Sequence, residues 1–287
     1  MSGAISSAIE RTGSAKVPDW FLAARARAAA GPAQVRAPLL TCIGQLFGSA
    51  PAPLLERIAA HTGALGRPLL KPTRRGWALD VPTQEGLPAL AQCLRDLGQA
   101  GPWRDELLTV RDERERVIGK IERGAVRTLG IATQAVHLVG LSLDGRVWVQ
   151  QRALSKPNDP GLWDTLMGGM VGADELPHQA LVRETWEEAG FDLQRLHSVH
   201  GLHSVRVGGQ VQIDRPSAEV PGGGGYMRER IDWFVLALPD GVTPVNQDGE
   251  VAQFALLTRE QLWQQLAANM LTLEATLVLG AWLFGHD

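Results

Sequence analysis

Glu184, Glu187 and Glu188 stand at i, i+3 and i+4, so an α-helix through them would project all three carboxylates from one face. Carboxylates so close repel by roughly several tenths of a kcal/mol per pair unless a cation sits among them. Hard oxygen donors of this kind suit Mg²⁺ or Mn²⁺. Magnesium held by a few carboxylates normally also touches substrate phosphates. Arg183 precedes Glu187 by four residues and is placed to pair with it and fix its rotamer. Gly168 and Gly169 let backbone approach a ligand closely. Pro177 suits a first helical turn, and Gly190 falls where a C-terminal stop is expected. The competing reading of these acids is an ordinary solvated helix face.

The elements that must position this cluster follow from periodicity. Residues 136–143 and 146–152 are apolar-rich runs around Asp144-Gly145, a hairpin signal. Asp159-Pro160-Gly161 marks a loop ahead of the acidic helix. Further strands are expected at 194–207, 231–238 and 254–257, then helices at 259–266 and 270–284. Residues 216–225, with four consecutive glycines, read either as a mobile loop beside a pocket or as a plain spacer. Ahead of residue 131 the pattern changes. Helices are expected at 19–30, at 51–63 and from Thr83, as cap, to Leu97. Strands are expected at 77–81, 107–110 and 117–121. The chain thus reads as a tail (1–15), an α+β unit (16–130) and an α/β unit (131–287) that carries the chemistry.

Composition narrows the function classes. Of 287 residues, 45% are hydrophobic and 21% charged, which supports a packed core throughout. A net charge of −3 leaves no footprint of nucleic-acid binding. The apolar stretch at 270–284 contains Glu274 and is too short to span a bilayer, so no membrane partner is expected. Cys42 and Cys93, without metal-ligand spacing, read as buried thiols of a cytoplasmic protein. His197, His200 and His203 invite a zinc reading, but a strand would turn His200 away from the other two.

The spacing from Gly169 through Glu175, Arg183, Glu184, Glu187, Glu188 and Gly190 to Phe191 resembles the Nudix box. Thr185 stands where that motif usually has an aliphatic residue. The string Arg152-Ala153-Leu154-Ser155-Lys156, then Pro160-Gly161-Leu162-Trp163-Asp164 and Gly168-Gly169, is similar to a thiamin-pyrophosphokinase-related subgroup of Nudix proteins. Members of that subgroup have an extra N-terminal domain. Trp103-Arg104-Asp105-Glu106-Leu107, Ile121-Glu122-Arg123 and the loop Asn246 to Val251 fit its patterns. The resemblance implies a Nudix α/β/α sandwich preceded by a smaller α+β domain. It further implies metal-dependent cleavage of a small-molecule diphosphate, including oxidised thiamine diphosphate cut to the monophosphate, by a monomer or homodimer.

The residues make chemical sense of that activity, because cleaving P–O–P needs neutralised phosphates, activated water and a stabilised leaving group. Glu184 and Glu188 are the first candidates for metal ligands, with a backbone carbonyl at Gly168 or Gly169. Glu187 would bind metal or polarise the water, held by Arg183. Glu250 is a rival general base or an inert surface acid. Arg152 and Lys156 would contact phosphate oxygens. Trp163 and Tyr226 would either stack a substrate ring or pack in the core, whereas Trp186 and Trp233 read as core. Three alternatives stand beside this reading. They are hydrolysis of nucleoside diphosphate derivatives, a non-catalytic binding module, and an isopentenyl-diphosphate-type isomerase. The isomerase relies on a catalytic-domain cysteine, and both cysteines here lie in the first half.

Overall fold

The computed structural model describes residues 17–200 and 205–285; the tail expected at 1–15 and His203 lie outside the described residues. Helix α1 (Asp19–Ala28) comes first. Strands β1 (Ala37–Leu40), β2 (Leu46–Ala50), β3 (Leu70–Thr73) and β4 (Gly76–Leu79) then form a sheet ordered β2-β1-β4-β3. It shares one core with α2 (Ala52–Ala64) and α3 (Thr83–Asp96), through Leu39, Leu55, Ile58, Leu87 and Leu90. Pro82, not Thr83, holds the N-cap position of α3, and no side chain caps it. The hairpin β5 (Leu107–Arg111) and β6 (Val117–Glu122) packs on α3 and leads into the single turn α4 (Arg123–Val126).

The second sheet is built on β7 (Ala132–Ser142), with β8 (Val147–Arg152) across the Asp144-Gly145 turn. Short strands β9 (Trp163–Asp164) and β10 (Met167–Met170) follow, then α5 (Pro177–Ala189) and α6 (Leu193–His200). The long hairpin β11 (Arg206–Ser217) and β12 (Gly225–Leu238), strand β13 (Val251–Leu257), and helices α7 (Arg259–Ala267) and α8 (Leu273–Phe284) complete the chain. Strand order is β11-β12-β7-β8-β13, with β12 parallel to β7. Strand β8 pairs with β7 only at Gly140 and Leu141, after which the two diverge. The gap is filled by β9, paired to β8, and β10, paired to β7. Helix α5 packs Ala180 and Leu181 against Val136 and Leu138 on one face, while α8 packs Val278 and Leu279 against Val139 and Val149 on the other. The result is an α/β/α sandwich joined to an α+β unit. Among the described residues no helix is long and apolar enough to cross a membrane.

Three expectations need correction. Residues 194–200 are helical rather than extended, because Asp192 accepts the backbone N–H groups of Gln194 and Arg195 at 3.0 Å and starts a helix there. Helix α1, assigned from sequence to the first unit, buries Phe21, Ala24 and Ala28 in the core of the second. Cys42 is exposed and only Cys93 is buried, because Cys42 sits at the tip of the β1–β2 turn.

The α1–α8 contact is close enough to test. A Cβ at Gly280 would lie 2.3 Å from the Phe21 ring. Gly280→Val is therefore expected to cost about 1–3 kcal/mol by overpacking. For a chain this size that lowers the melting temperature roughly 2–4 °C per kcal/mol. Circular-dichroism melts check it, and Phe21→Ala in the same chain should blunt the added loss caused by the valine.

Candidate active site

Helix α5 is positioned by its own punctuation. Pro177 opens it, and Gly190 closes it in the left-handed conformation at φ 69°. Thr185 takes the slot where an aliphatic residue was expected. It is fully buried, with its hydroxyl donating to the Leu181 carbonyl at 2.6 Å. Glu188, one residue after Glu187, turns into the gap between β8 and β10 and is 2% exposed. Its Oε2 accepts the Gly168 N–H at 2.9 Å and the Gln150 Nε2 at 2.8 Å. Glu184 lies over β10. A Cβ at Gly169 would fall 1.9 Å from the Glu184 carboxyl carbon, so only glycine leaves room for that carboxylate. A Cβ at Gly168 would likewise fall 2.6 Å from the His137 ring.

One guanidinium organises the acids. Arg183 grips Glu175 through two bonds of 2.7 and 2.8 Å and reaches Glu184 at 2.8 Å, Glu187 at 3.0 Å and the Met170 carbonyl at 3.2 Å. The expected Arg183–Glu187 pair is present, as one contact of several. Burial, and then Glu184, pushes Glu188 up to about 8. Burial also raises Glu184, against the opposing charge of Arg183. One buried and one largely covered acid that repel one another are what a cation would relieve. Among the described residues the buried Gln150 Oε1 has no hydrogen-bond partner, and it adds an unused oxygen to the same place. These donors fit a hard divalent ion. Among the described residues no three His, Cys, Asp or Glu side chains converge by themselves into a metal cage. Magnesium does not require one, since it keeps waters and takes substrate oxygens.

Across the gap, Lys156 is largely buried and forms an ion pair with Glu250. Burial pushes its ammonium down, with Glu188 and Asp248 opposing and Arg152 and Arg123 assisting. Arg152 donates to the Asn158 carbonyl at 3.2 and 3.0 Å and stands 3.5 Å from Asp164, so it shapes the loop that presents Lys156. The Ala153 N–H bonds the Glu250 carbonyl at 2.9 Å and ties that loop to the start of β13.

The aromatic candidates separate. Trp163 is half-buried against the core, and its backbone N–H bonds the Met270 carbonyl at 3.0 Å, so it anchors β9. Tyr226 is not brought to the carboxylates. It is buried, bonded to Asp214, and covered by the Arg36 guanidinium at 5.2 Å. Trp233 is core, as expected, but Trp186 is 52% exposed, because it lies on the α5 face opposite Leu181 and Thr185. His197 falls in α6 rather than on a strand, as does His200.

Gln150 and His137 were missed, and Asp164 was read only as part of the string 160–164, without a role. Gln150 left a faint signal, since it follows Val147 and Val149 in a strand where a buried polar side chain needs a partner. The first unit also reaches the site. The Ala173 N–H bonds the Leu107 carbonyl at 2.8 Å and Thr109 Oγ1 donates to the Ala173 carbonyl at 2.9 Å, fixing the loop that enters α5. A cavity of about 390 Å³ opens there, bordered by Thr109, Gln134, Gly172, Glu175 and Arg228.

A family model described as NUDIX domain matches residues 132–275, half of the chain. The chain belongs to the Nudix family. An uncharacterized Nudix hydrolase of Streptomyces coelicolor is 37% identical over 86 residues, 30% of this chain and 48% of that protein. The chloroplastic Nudix hydrolase 24 of Arabidopsis thaliana is 31% identical over 198 residues, 64% of this chain and 49% of that protein. The chain therefore spans about half the length of these curated relatives. The crystal structure of DR0079 from Deinococcus radiodurans has a TM-score of 0.44 at 23% identity, covering 61% of this chain and 97% of that one. Within the Nudix domain the matched span begins at the first residue of β7 and takes in α5 and β13.

Proposed function

We propose that this protein hydrolyses the phosphoanhydride bond of a small-molecule diphosphate with Mg²⁺ or Mn²⁺. The observation that carries this is the buried Glu188 beside the largely covered Glu184, set against Gly168-Gly169 with Lys156 across the gap. Glu184 and Glu188, with the Gly168 carbonyl, would hold the ion, and Glu187 lies at its solvent side. The ion supplies charge neutralisation and a more acidic water. Lys156 offers a point charge to phosphate oxygens once it exchanges its carboxylate partner. Arg183 keeps the carboxylates in register.

Glu187 is the better general base of the two candidates, because it stands on α5 beside the two carboxylates proposed to hold the ion, whereas Glu250 lies on the loop across the gap with Lys156. Glu187→Gln is expected to leave the fold intact and lower kcat by about 10²–10⁴-fold. Glu250→Gln should lose less than tenfold and shift mainly KM. Steady-state kinetics with Mg²⁺ decide it, and a larger kcat loss in Glu250→Gln would reverse the assignment.

The substrate reading favours thiamine diphosphate and its oxidised forms, cut to the monophosphate. It is supported by the strings around Arg152, Trp163, Trp103 and Asn246 that resemble the thiamine-related subgroup. A phosphate-release screen with Mg²⁺ or Mn²⁺ over thiamine diphosphate, its oxidised analogues, ADP-ribose, a dinucleotide and several nucleotides tests it. Selective turnover of the thiamine compounds is the expected result. Preference for a nucleotide would keep the chemistry and discard thiamine, and silence across the panel would favour a binding module.

A further inference from the structure

The first unit carries two arginines to a crevice beside the loop that presents Lys156. Arg104 and Arg123 line a crevice with Asn158, which belongs to the loop that Arg152 holds and Lys156 occupies. Arg123 is placed by its own chain: its N–H bonds the Glu106 carbonyl at 2.8 Å and its Nη1 pairs with Glu106 at 2.7 Å. Arg104 is fixed through its backbone N–H, which bonds Glu122 Oε1 at 2.8 Å, while its exposed guanidinium has no partner among the described residues. Arg127 and Glu219 also border the crevice, but their charges answer each other at 3.7 Å, and Arg127 is further tied to Glu229 at 2.7 Å. The enclosed part is about 20 Å³, room for a water. A larger anion would therefore sit at its mouth, with the arginine side chains turned onto it. Arg123 is near enough to act electrostatically on both Glu184 and Lys156.

We propose that Arg104 and Arg123 form a subsite for the terminal phosphate of the substrate, so that the first unit completes the Nudix domain's site. The inference rests on the diphosphate reading above and adds a preference. An unsubstituted terminal phosphate carries about −1.5 to −2 charge at neutral pH. A phosphate esterified on both sides carries one negative charge, so cations at this position favour monoesters of diphosphate over P¹,P²-disubstituted ones. Glu106 tempers the subsite by holding Arg123 when no anion is bound.

The test is binding of methylene diphosphonate, which cannot be hydrolysed at its bridge, to the full chain with Mg²⁺ by calorimetry. Arg104→Ala and Arg123→Ala are each expected to weaken it about tenfold, the size of one charge-assisted hydrogen bond. Arg74→Ala, an exposed arginine elsewhere on the first unit, should change nothing. Glu106→Gln frees Arg123 and should tighten binding several-fold, which a purely structural role for the pair would not produce. Unchanged affinity in both alanine variants, or weaker binding in Glu106→Gln, overturns the subsite. If those variants bind as wild type yet still hydrolyse diphosphates, the subsite fails and the hydrolase stands. If wild type shows arginine-dependent binding but no turnover, the hydrolase reading fails and the subsite stands.

Discussion

Glu188→Gln is expected to lower metal-dependent turnover about a thousandfold while raising the melting temperature of the metal-free protein. The two effects share one cause. Glu188 is buried, and burial together with Glu184 lifts its carboxyl from an ordinary 4.5 to about 8. Below about 4.5 the group is protonated both folded and unfolded, and it does not affect stability. As pH rises toward 8 the unfolded chain ionises freely, whereas the folded protein must hold its proton or carry a buried charge, so stability falls. Glutamine removes that loss. Its carbonyl keeps the Gly168 N–H satisfied, and its amide can donate to the Gln150 oxygen that otherwise has no partner. The stability gap between variant and wild type should therefore widen from pH 4.5 to 8, by roughly 2–4 °C per kcal/mol. Mg²⁺ should raise the melting temperature of wild type and much less that of the variant. Losing a charged ligand also removes electrostatic stabilisation worth several kcal/mol in the transition state, hence the thousandfold fall in kcat. Melting scans across pH, with and without Mg²⁺, and kcat at saturating metal check both halves. A variant that melts lower at pH 8 would mean that Glu188 is a structural ligand of the Gly168 backbone first.

What could be read from the chain without its structure depended on how local the cause was. The acidic helix was legible because helical spacing, Pro177 and Gly190 all lie within one stretch. The β7–β8 hairpin was legible for the same reason. Strand expectation failed at 194–200, where the short polar cap of Asp192 outweighs a weak apolar pattern. The partners of the site were harder, because their causes are distant in sequence. Gln150 meets Glu188 across 38 positions. Lys156 meets Glu250 across 94. Tyr226 looked available for stacking until its strand placed it against Arg36 and Asp214. Residues 19–30 read as a helix, yet only the tertiary structure shows that Phe21, Ala24 and Ala28 pack into the core that α8 shares.

The two units are joined where the chemistry is proposed to occur, and that decides what the first unit can do. Leu107 and Thr109 hold the loop entering α5, and Met170 of β10 packs into the first unit's core with Leu129 and Ile131. The buried Arg127–Glu229 pair, supported by Thr133, fastens the link before β7 to β12. A surface so shared leaves the first unit little freedom to swing as a lid. Its influence is exerted through fixed groups at the rim, which is the arrangement that a specificity element requires.

Gly169→Ala should separate folding from function most sharply. The added methyl group would fall 1.9 Å from the Glu184 carboxyl carbon and 2.1 and 2.4 Å from its oxygens. Those atoms are the far end of a rotatable side chain, and the strand conformation at Gly169 suits alanine. The chain can therefore accept the methyl by moving Glu184 rather than by unfolding. Glu184 moves away from β10 toward Arg183, which already holds it at 2.8 Å. The displaced carboxylate no longer pairs with Glu188 across the proposed metal position, and misplacement by about an ångström costs on the order of 10²-fold in rate. We expect kcat to fall by that factor or more, with Mg²⁺ required at higher concentration and the melting temperature within a few degrees of wild type. Gly63→Ala in α2 is the control, because nothing lies within 4 Å of its Cβ and its φ is not positive. Near-normal turnover in Gly169→Ala would place the metal away from Glu184. A collapse in melting temperature would mean that β10 cannot yield and that Glu184 is locked by Arg183 more firmly than its single bond suggests.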